Sequence, residues 1–210
     1  MSGAVLCRFR KNAFGAAGSV RARLQSCRND RKEWRALAPA MSKPSRPSDP
    51  TSATGYPRTF FTTTRTADGK SLFQVERMVD LFVDVLRTTM RSGKVRVHDF
   101  VVMPNHVHIL MTVNGEMSVE KAMQLIKGGF SFRANKELGY SGEVWQRGFS
   151  DMRVTDEGSF QQHREYIENN PVKAGLANSR EEYPFGSTYL KKRKSAGAEA
   201  RLIGVTERHD

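Results

Sequence analysis

His106 and His108 stand one residue apart in the run Met103-Pro104-Asn105-His106-Val107-His108-Ile109-Leu110. Side chains alternate faces along a β-strand, so both imidazoles share one face while Val107 and Ile109 point into a core. Two imidazoles side by side can grip one divalent metal, and a strand supplies the rigidity such a site needs. Histidines so paired also arise for structural reasons alone, so the pair needs company. That company lies downstream in His163-Arg164-Glu165-Tyr166-Ile167-Glu168-Asn169-Asn170-Pro171. The spacing predicts a helix over 156–170, with Asp156 as N-cap, Glu157 in the first turn and Pro171 as the stop. Tyr166 and Asn170 are four apart and project from one helical face. Opposite a two-histidine strand they offer a nucleophile beside a third ligand. On its own, a helical tyrosine is usually an ordinary interfacial aromatic.

The elements that must position these groups read β-α-β-β-α-β-α. Thr59–Thr64 is β-branched and aromatic, a first strand. Over 71–91 the apolar positions Leu72, Val75, Val79, Phe82, Val83, Leu86 and Met90 keep a helical period. Strands follow over 94–103 and 106–113, joined tightly at Pro104-Asn105. A second helix spans 118–138, with Gly128-Gly129 expected to weaken or bend it midway. A strand over 144–154 leads to the Tyr166 helix. This order predicts an α+β, ferredoxin-like fold, an antiparallel sheet with helices packed on one face. Fold order alone does not fix function.

The net charge of +12 invites a nucleic-acid reading, but its distribution qualifies it. Residues 1–50 hold 11 Lys/Arg against 3 Asp/Glu, and 191–210 hold 6 against 3. Residues 51–190 hold 17 against 16, so a DNA-binding face there must come from local clustering. Lys127, Arg133, Arg147 and Arg153 are the candidate phosphate contacts, with plain surface solvation as the default for each. Trp145 is read as core in preference to a base-stacking platform. The organisation expected is a basic, flexible extension and linker over 1–57, a domain over 58–190 and a basic tail over 191–210. The proline-punctuated linker begins at Met41, which is an alternative start of translation. Cys7 and Cys27 both fall in the extension, so no cysteine framework or cysteine metal site is available, as in a reducing cytoplasm. No apolar run has the length of a membrane span.

Three segments together resemble the REP-associated tyrosine transposases, single-tyrosine members of the HUH nuclease superfamily. They are Val101-Val102-Met103-Pro104-Asn105-His106-Val107-His108, Glu143-Val144-Trp145-Gln146-Arg147-Gly148-Phe149, and Tyr166-Ile167 followed by Asn170-Pro171-Val172-Lys173-Ala174-Gly175-Leu176. The closing Tyr183-Pro184-Phe185-Gly186-Ser187-Thr188 also fits, and the likeness covers residues 58–190. The resemblance implies an HUH nuclease fold and a cytoplasmic, nucleoid-associated bacterial enzyme that nicks and rejoins single-stranded hairpin DNA with REP-like palindromes. It implies Tyr166 as the catalytic nucleophile, forming a 5′-phosphotyrosine link. A divalent metal, Mg²⁺ or Mn²⁺, is implied on His106, His108 and Asn170, with Mn²⁺ held more tightly because imidazole is soft for Mg²⁺.

Two departures bear on that transfer. The family usually has a histidine and an apolar residue where this chain has Glu168 and Asn169. Helical spacing favours Asn170, about 40° from Tyr166 against about 60° for Asn169, but the difference is small; the family match selects Asn170. No second tyrosine lies within a turn of Tyr166, unlike initiators that use a tyrosine pair. His163 is one turn before Tyr166, but the family pattern does not require a histidine there. A histidine-triad hydrolase would need histidine at position 110, which is Leu110. A domesticated, catalytically silent palindrome binder remains the alternative, as does an RNA-binding α+β module. The lack of a further apolar face favours a monomer slightly over a homodimer.

Overall fold

The computed structural model describes residues 55–193. The expected extension over 1–57, with its start at Met41, and the tail over 191–210 lie outside the described residues except at their inner ends. The elements run β1 (Arg58–Arg65), α1 (Glu76–Arg91), β2 (Val95–Met103), β3 (His106–Val113), α2 (Val119–Leu138), β4 (Ser150–Val154) and α3 (Glu157–Lys173). The four strands form one antiparallel sheet in the order β2-β3-β1-β4. This is the expected α+β class.

Both faces of the sheet are covered. Val107, Ile109, Met111 and Val113 of β3 are fully buried beneath α1 and α2, with Phe73, Phe82, Phe130 and Trp145 closing the core. Those four rings stack edge-on or tilted, with centroids 5.4 to 5.9 Å apart. Trp145 is therefore core, as read. The expectation of helices on one face holds for α1 and α2 and is corrected for α3. That helix lies on the opposite face, where Ile167 packs with Phe61, Val101, Met103 and Leu110. The physical reason is in the strands: alternate positions on this second face also carry apolar side chains, which need cover from water.

Several boundaries differ from expectation, each for a local reason. Helix α1 begins at Glu76, after a 3-10 turn over Leu72–Gln74. Helix α2 runs unbroken through Gly128-Gly129, capped by Ser118 accepting from Lys121 N–H and ended by Gly139 at φ 66°. The last strand starts at Ser150, not at Val144. Gly148 takes φ 71°, and Lys127 Nζ draws the carbonyls of Gln146 and Gly148 to itself, out of any ladder. Helix α3 starts as predicted, with Asp156 Oδ1 accepting from Ser159 N–H at 2.8 Å. It does not stop at Pro171 but continues to Lys173. Proline removes one N–H and leaves its own carbonyl, which accepts from Leu176 N–H at 2.9 Å, so the last turn survives.

The free edge of β2 is closed by the segment after α3. Val102 N–H donates to Phe185 O at 2.9 Å, and the Tyr183 hydroxyl donates to Val102 O at 2.8 Å. A bulge at His98 rephases β2, so Asp99 faces α3. The buried Asp99 carboxylate then meets Lys191 Nζ at 2.5 Å, the Ser187 hydroxyl at 2.9 Å and Arg164 Nε of α3 at 3.4 Å. Glu168 of α3 pairs in turn with Arg180 at 2.7 Å. A buried carboxylate with two hydrogen-bond donors and a further ion pair to Arg164 is compensated, and it ties α3 to the edge of the sheet.

Candidate active site

The register of the sheet assembles the site on the α3 face. His106 lies opposite Arg65 of β1 and Met103 of β2; His108 lies opposite Thr63 and Val101. The two imidazole rings sit 4.8 Å apart, centroid to centroid, on the face opposite Val107 and Ile109. Period-two alternation therefore places them as expected. From α3, the Tyr166 ring lies 5.2 Å from His108 and 5.7 Å from Phe61. Phe61 stacks on His108 at 5.4 Å and also touches His163 at 4.8 Å, so one phenylalanine floors the whole group.

Each imidazole is oriented through Nδ1. His108 Nδ1 meets the Thr63 hydroxyl at 2.7 Å, and His106 Nδ1 faces Asn105 Oδ1 at 2.7 Å. A carbonyl oxygen only accepts, so His106 carries its proton on Nδ1 and keeps a lone pair on Nε2. Burial first, then the Arg65 charge, pulls the His106 pKa down to about 4. His108 is held well below its usual range by burial, then by His106 and Arg65. Both rings are neutral at physiological pH, the form in which imidazole binds metal.

Two buried atoms at this site lack a hydrogen-bond partner: His108 Nε2 and Asn170 Oδ1. An unpaired buried polar atom costs roughly 1–3 kcal/mol, so such atoms call for a ligand. Asn170, one turn on along α3, favours the charged form of the Tyr166 phenol, and its own Oδ1 is left unpaired. Asn169 instead donates to Glu165 O at 3.0 Å and is less buried. Burial raises the Tyr166 pKa, against the lowering effects of Asn170 and Arg65, so the phenol is protonated at neutral pH. Lys173 Nζ hangs 5.9 Å from the Tyr166 ring centroid. Among the described residues no three His, Cys, Asp or Glu side chains converge as a metal site. A divalent ion here would need the amide of Asn170 beside the two histidines.

The four candidate phosphate contacts do not gather around this site. Arg133 is held between Asp84 at 2.6 Å and Glu137 at 2.5 Å, and Lys127 is bonded to two carbonyls beneath Trp145. Arg153 lies opposite Phe60, on the α1/α2 side of the sheet. Arg147 is exposed, next to Gln146, whose N–H donates to Arg65 O at 2.9 Å. His163 is buried and its Nδ1 lies 2.7 Å from Ser159 O. Sequence reasoning missed Thr63 and Arg65, although pairing the first strand with the histidine strand would have put both beside the imidazoles.

Comparisons with known proteins bear on the family and the fold. The family model described as transposase, IS200-like, matches residues 62–170. An uncharacterized protein of Haemophilus influenzae is 33% identical, over 38% of this chain and 56% of its own length. A second protein of that organism, named "Putative REP-associated tyrosine transposase", is 27% identical over 41% of this chain and 54% of its own. The chain thus spans little more than half the length of the curated relatives it matches. A solved structure of a REP-associated tyrosine transposase bound to a REP hairpin superposes with a TM-score of 0.58. It is 21% identical and covers 74% of this chain and 87% of that one, a likeness of fold.

Proposed function

Because the chain belongs to the IS200-like transposase family, we propose that it nicks and rejoins single-stranded, hairpin-forming DNA through Tyr166. One observation carries this reading: Tyr166 lies against the His106–His108 pair, where His108 Nε2 and Asn170 Oδ1 are buried without partners. In the first step Tyr166 Oη attacks a backbone phosphorus. The bond from phosphorus to the 3′-oxygen breaks, the phenolic proton is lost and the leaving oxygen gains one. The products are a 5′-phosphotyrosine and a free 3′-hydroxyl. Attack by a 3′-hydroxyl reverses the step and reseals a strand without any external energy source.

His106, His108 and Asn170 fit a divalent cation, Mg²⁺ or Mn²⁺, through imidazole nitrogens and an amide oxygen. When bound, such an ion polarises the scissile phosphate and balances the charge that develops there. All three ligands are neutral, so the ion would keep its full double charge toward an anionic substrate. Thr63 and Asn105 fix the ring orientations from behind, the usual way a metal-binding imidazole is aimed. Asn170 favours the ionised phenol, and Phe61 keeps water from the sheet side of Tyr166 and His108.

REP-like palindromes are the proposed substrate and a monomer the proposed working form, supported by an α3 that already lies on its own sheet. Among the described residues no helix is long and apolar enough to cross a membrane. The test incubates labelled hairpin oligonucleotides with the protein and Mn²⁺ on a denaturing gel. A covalent adduct, absent with Tyr166→Phe and His106→Ala, is the expected result. Binding without adduct in all three proteins would sink the catalytic reading and leave a palindrome-binding protein.

A further inference from the structure

We propose that Arg65 and Lys173 form an anion clamp around Tyr166 that grips the phosphate to be cleaved. The proposal rests on reading the site as a DNA-cleaving centre, and it assigns two residues that the metal and nucleophile do not account for. Arg65 ends β1 directly opposite His106. Directly paired residues of antiparallel strands share a face, with Cβ atoms about 5 Å apart. The guanidinium therefore belongs to the histidine face, and its charge reaches His106, His108 and Tyr166 alike. Lys173, seven residues after Tyr166, sits two turns along the same helical face with Nζ near the phenol ring.

What separates these two cations from the rest of the surface is their surroundings. Both are exposed, and among the described residues neither pairs with a carboxylate. Arg133, Arg164, Arg180 and Lys191 do; Arg77, Arg96 and Arg153 are also exposed without such a pair among the described residues, but only Arg65 and Lys173 flank the histidines and the tyrosine. The side chains grouped with Arg65 and Lys173 are Thr63, His106, His108, Tyr166 and Asn170, none of which is a carboxylate. Two cations facing a neutral, partly desolvated group leave a positive site with no counter-ion of its own. A divalent ion on the histidines would deepen that imbalance. An anion seated among them resolves it, and a phosphodiester suits the pair: the planar guanidinium grips two oxygens and the ammonium acts as a point charge.

Binding and chemistry test the clamp separately. In a Tyr166→Phe background, anisotropy of a labelled hairpin-forming DNA oligonucleotide is followed across a salt series. Each lost phosphate contact lowers the slope of log K against log salt by about 0.7–0.9. Arg65→Ala and Lys173→Ala should each show that drop, while Arg65→Lys restores it. Arg77→Ala on α1, behind the opposite face, should leave it unchanged. With Tyr166 intact, Arg65→Ala should slow adduct formation about a hundredfold. Thermal melts of every variant establish that the exposed substitutions leave the fold alone. Unchanged slopes and adduct rates in both alanine variants overturn the clamp. Slopes that fall in a protein that never forms an adduct uphold the clamp and sink the covalent reading instead.

Discussion

The two faces of one sheet do opposite jobs with the same strands. Along β3, Val107, Ile109, Met111 and Val113 turn toward α1 and α2, while His106 and His108 turn toward α3. The first face is closed by four interlocked aromatic rings, and its unpaired buried atoms, on Thr64 and Arg58, lie away from the tyrosine. The second carries the unpaired atoms of His108 and Asn170, a carboxylate held by two donors and an ion pair, and a helix tied on by ion pairs. Stability thus resides on the α1/α2 face, and the α3 face gives some of it up to hold polar groups ready for a ligand.

Four substitutions and one titration can break or sharpen that contrast. The largest effect is expected from Phe82→Ala, which empties the centre of the aromatic cluster. It should cost roughly 3–5 kcal/mol in denaturant unfolding, and a loss below 1 kcal/mol would remove the contrast. Acid should act through the other face. An unfolded histidine titrates near 6.5, but His106 in the fold does so at about 4 and His108 lower still. Below pH 6.5 the unfolded chain therefore binds more protons, and metal-free stability should fall as pH drops toward 4. Each imidazole contributes a slope of about 1.4 kcal/mol per pH unit. Melting temperatures that stay flat over that window would contradict the buried, neutral pair.

His108→Leu should be close to neutral for the fold. It removes the orphaned Nε2 but strands the buried Thr63 hydroxyl, so metal-free stability should change by less than about 1 kcal/mol while the adduct is abolished; a loss of several kcal/mol would show that the histidine supports the fold. Thr63→Val takes away only the partner behind His108. Calorimetry with Mn²⁺ should show affinity down by about 10–100-fold, and the metal-free protein should lose about 1–3 kcal/mol because His108 Nδ1 is left buried without a partner. The smallest effect belongs to Asp156→Ala, which uncaps α3 and should cost about 1 kcal/mol with the aromatic core unaffected.

Strand β3 was legible to the residue, because His106–Val113 is bounded by a Pro-Asn turn and alternates without a slip. The N-terminus of α3 was legible through Asp156. Its placement was not. A helix that packs behind a sheet looks the same in sequence as one that packs in front, and the rule that proline stops helices missed a last turn held by other bonds. The strand over 144–154 read as continuous because the pattern does not show that Lys127, far away in sequence, claims two of its carbonyls. Arg65 escaped for a similar reason: its neighbourhood depends on which strand pairs with which, a tertiary fact. The DNA-contact residues were chosen by charge alone, and two of the four turn out to be held by partners inside the fold.

The segment that seals β2 has a consequence for the order of assembly. Tyr183 reaches Val102 across 81 residues of chain. On a ribosome adding roughly 5–20 residues per second, those residues take about 4–16 s to appear. During that interval β2 is an open strand edge, free to pair with any extended chain nearby. A full-length chain refolding from denaturant has no such wait. The nascent protein is therefore most vulnerable to sticking in the seconds before Tyr183 is made, at the edge farthest from β4.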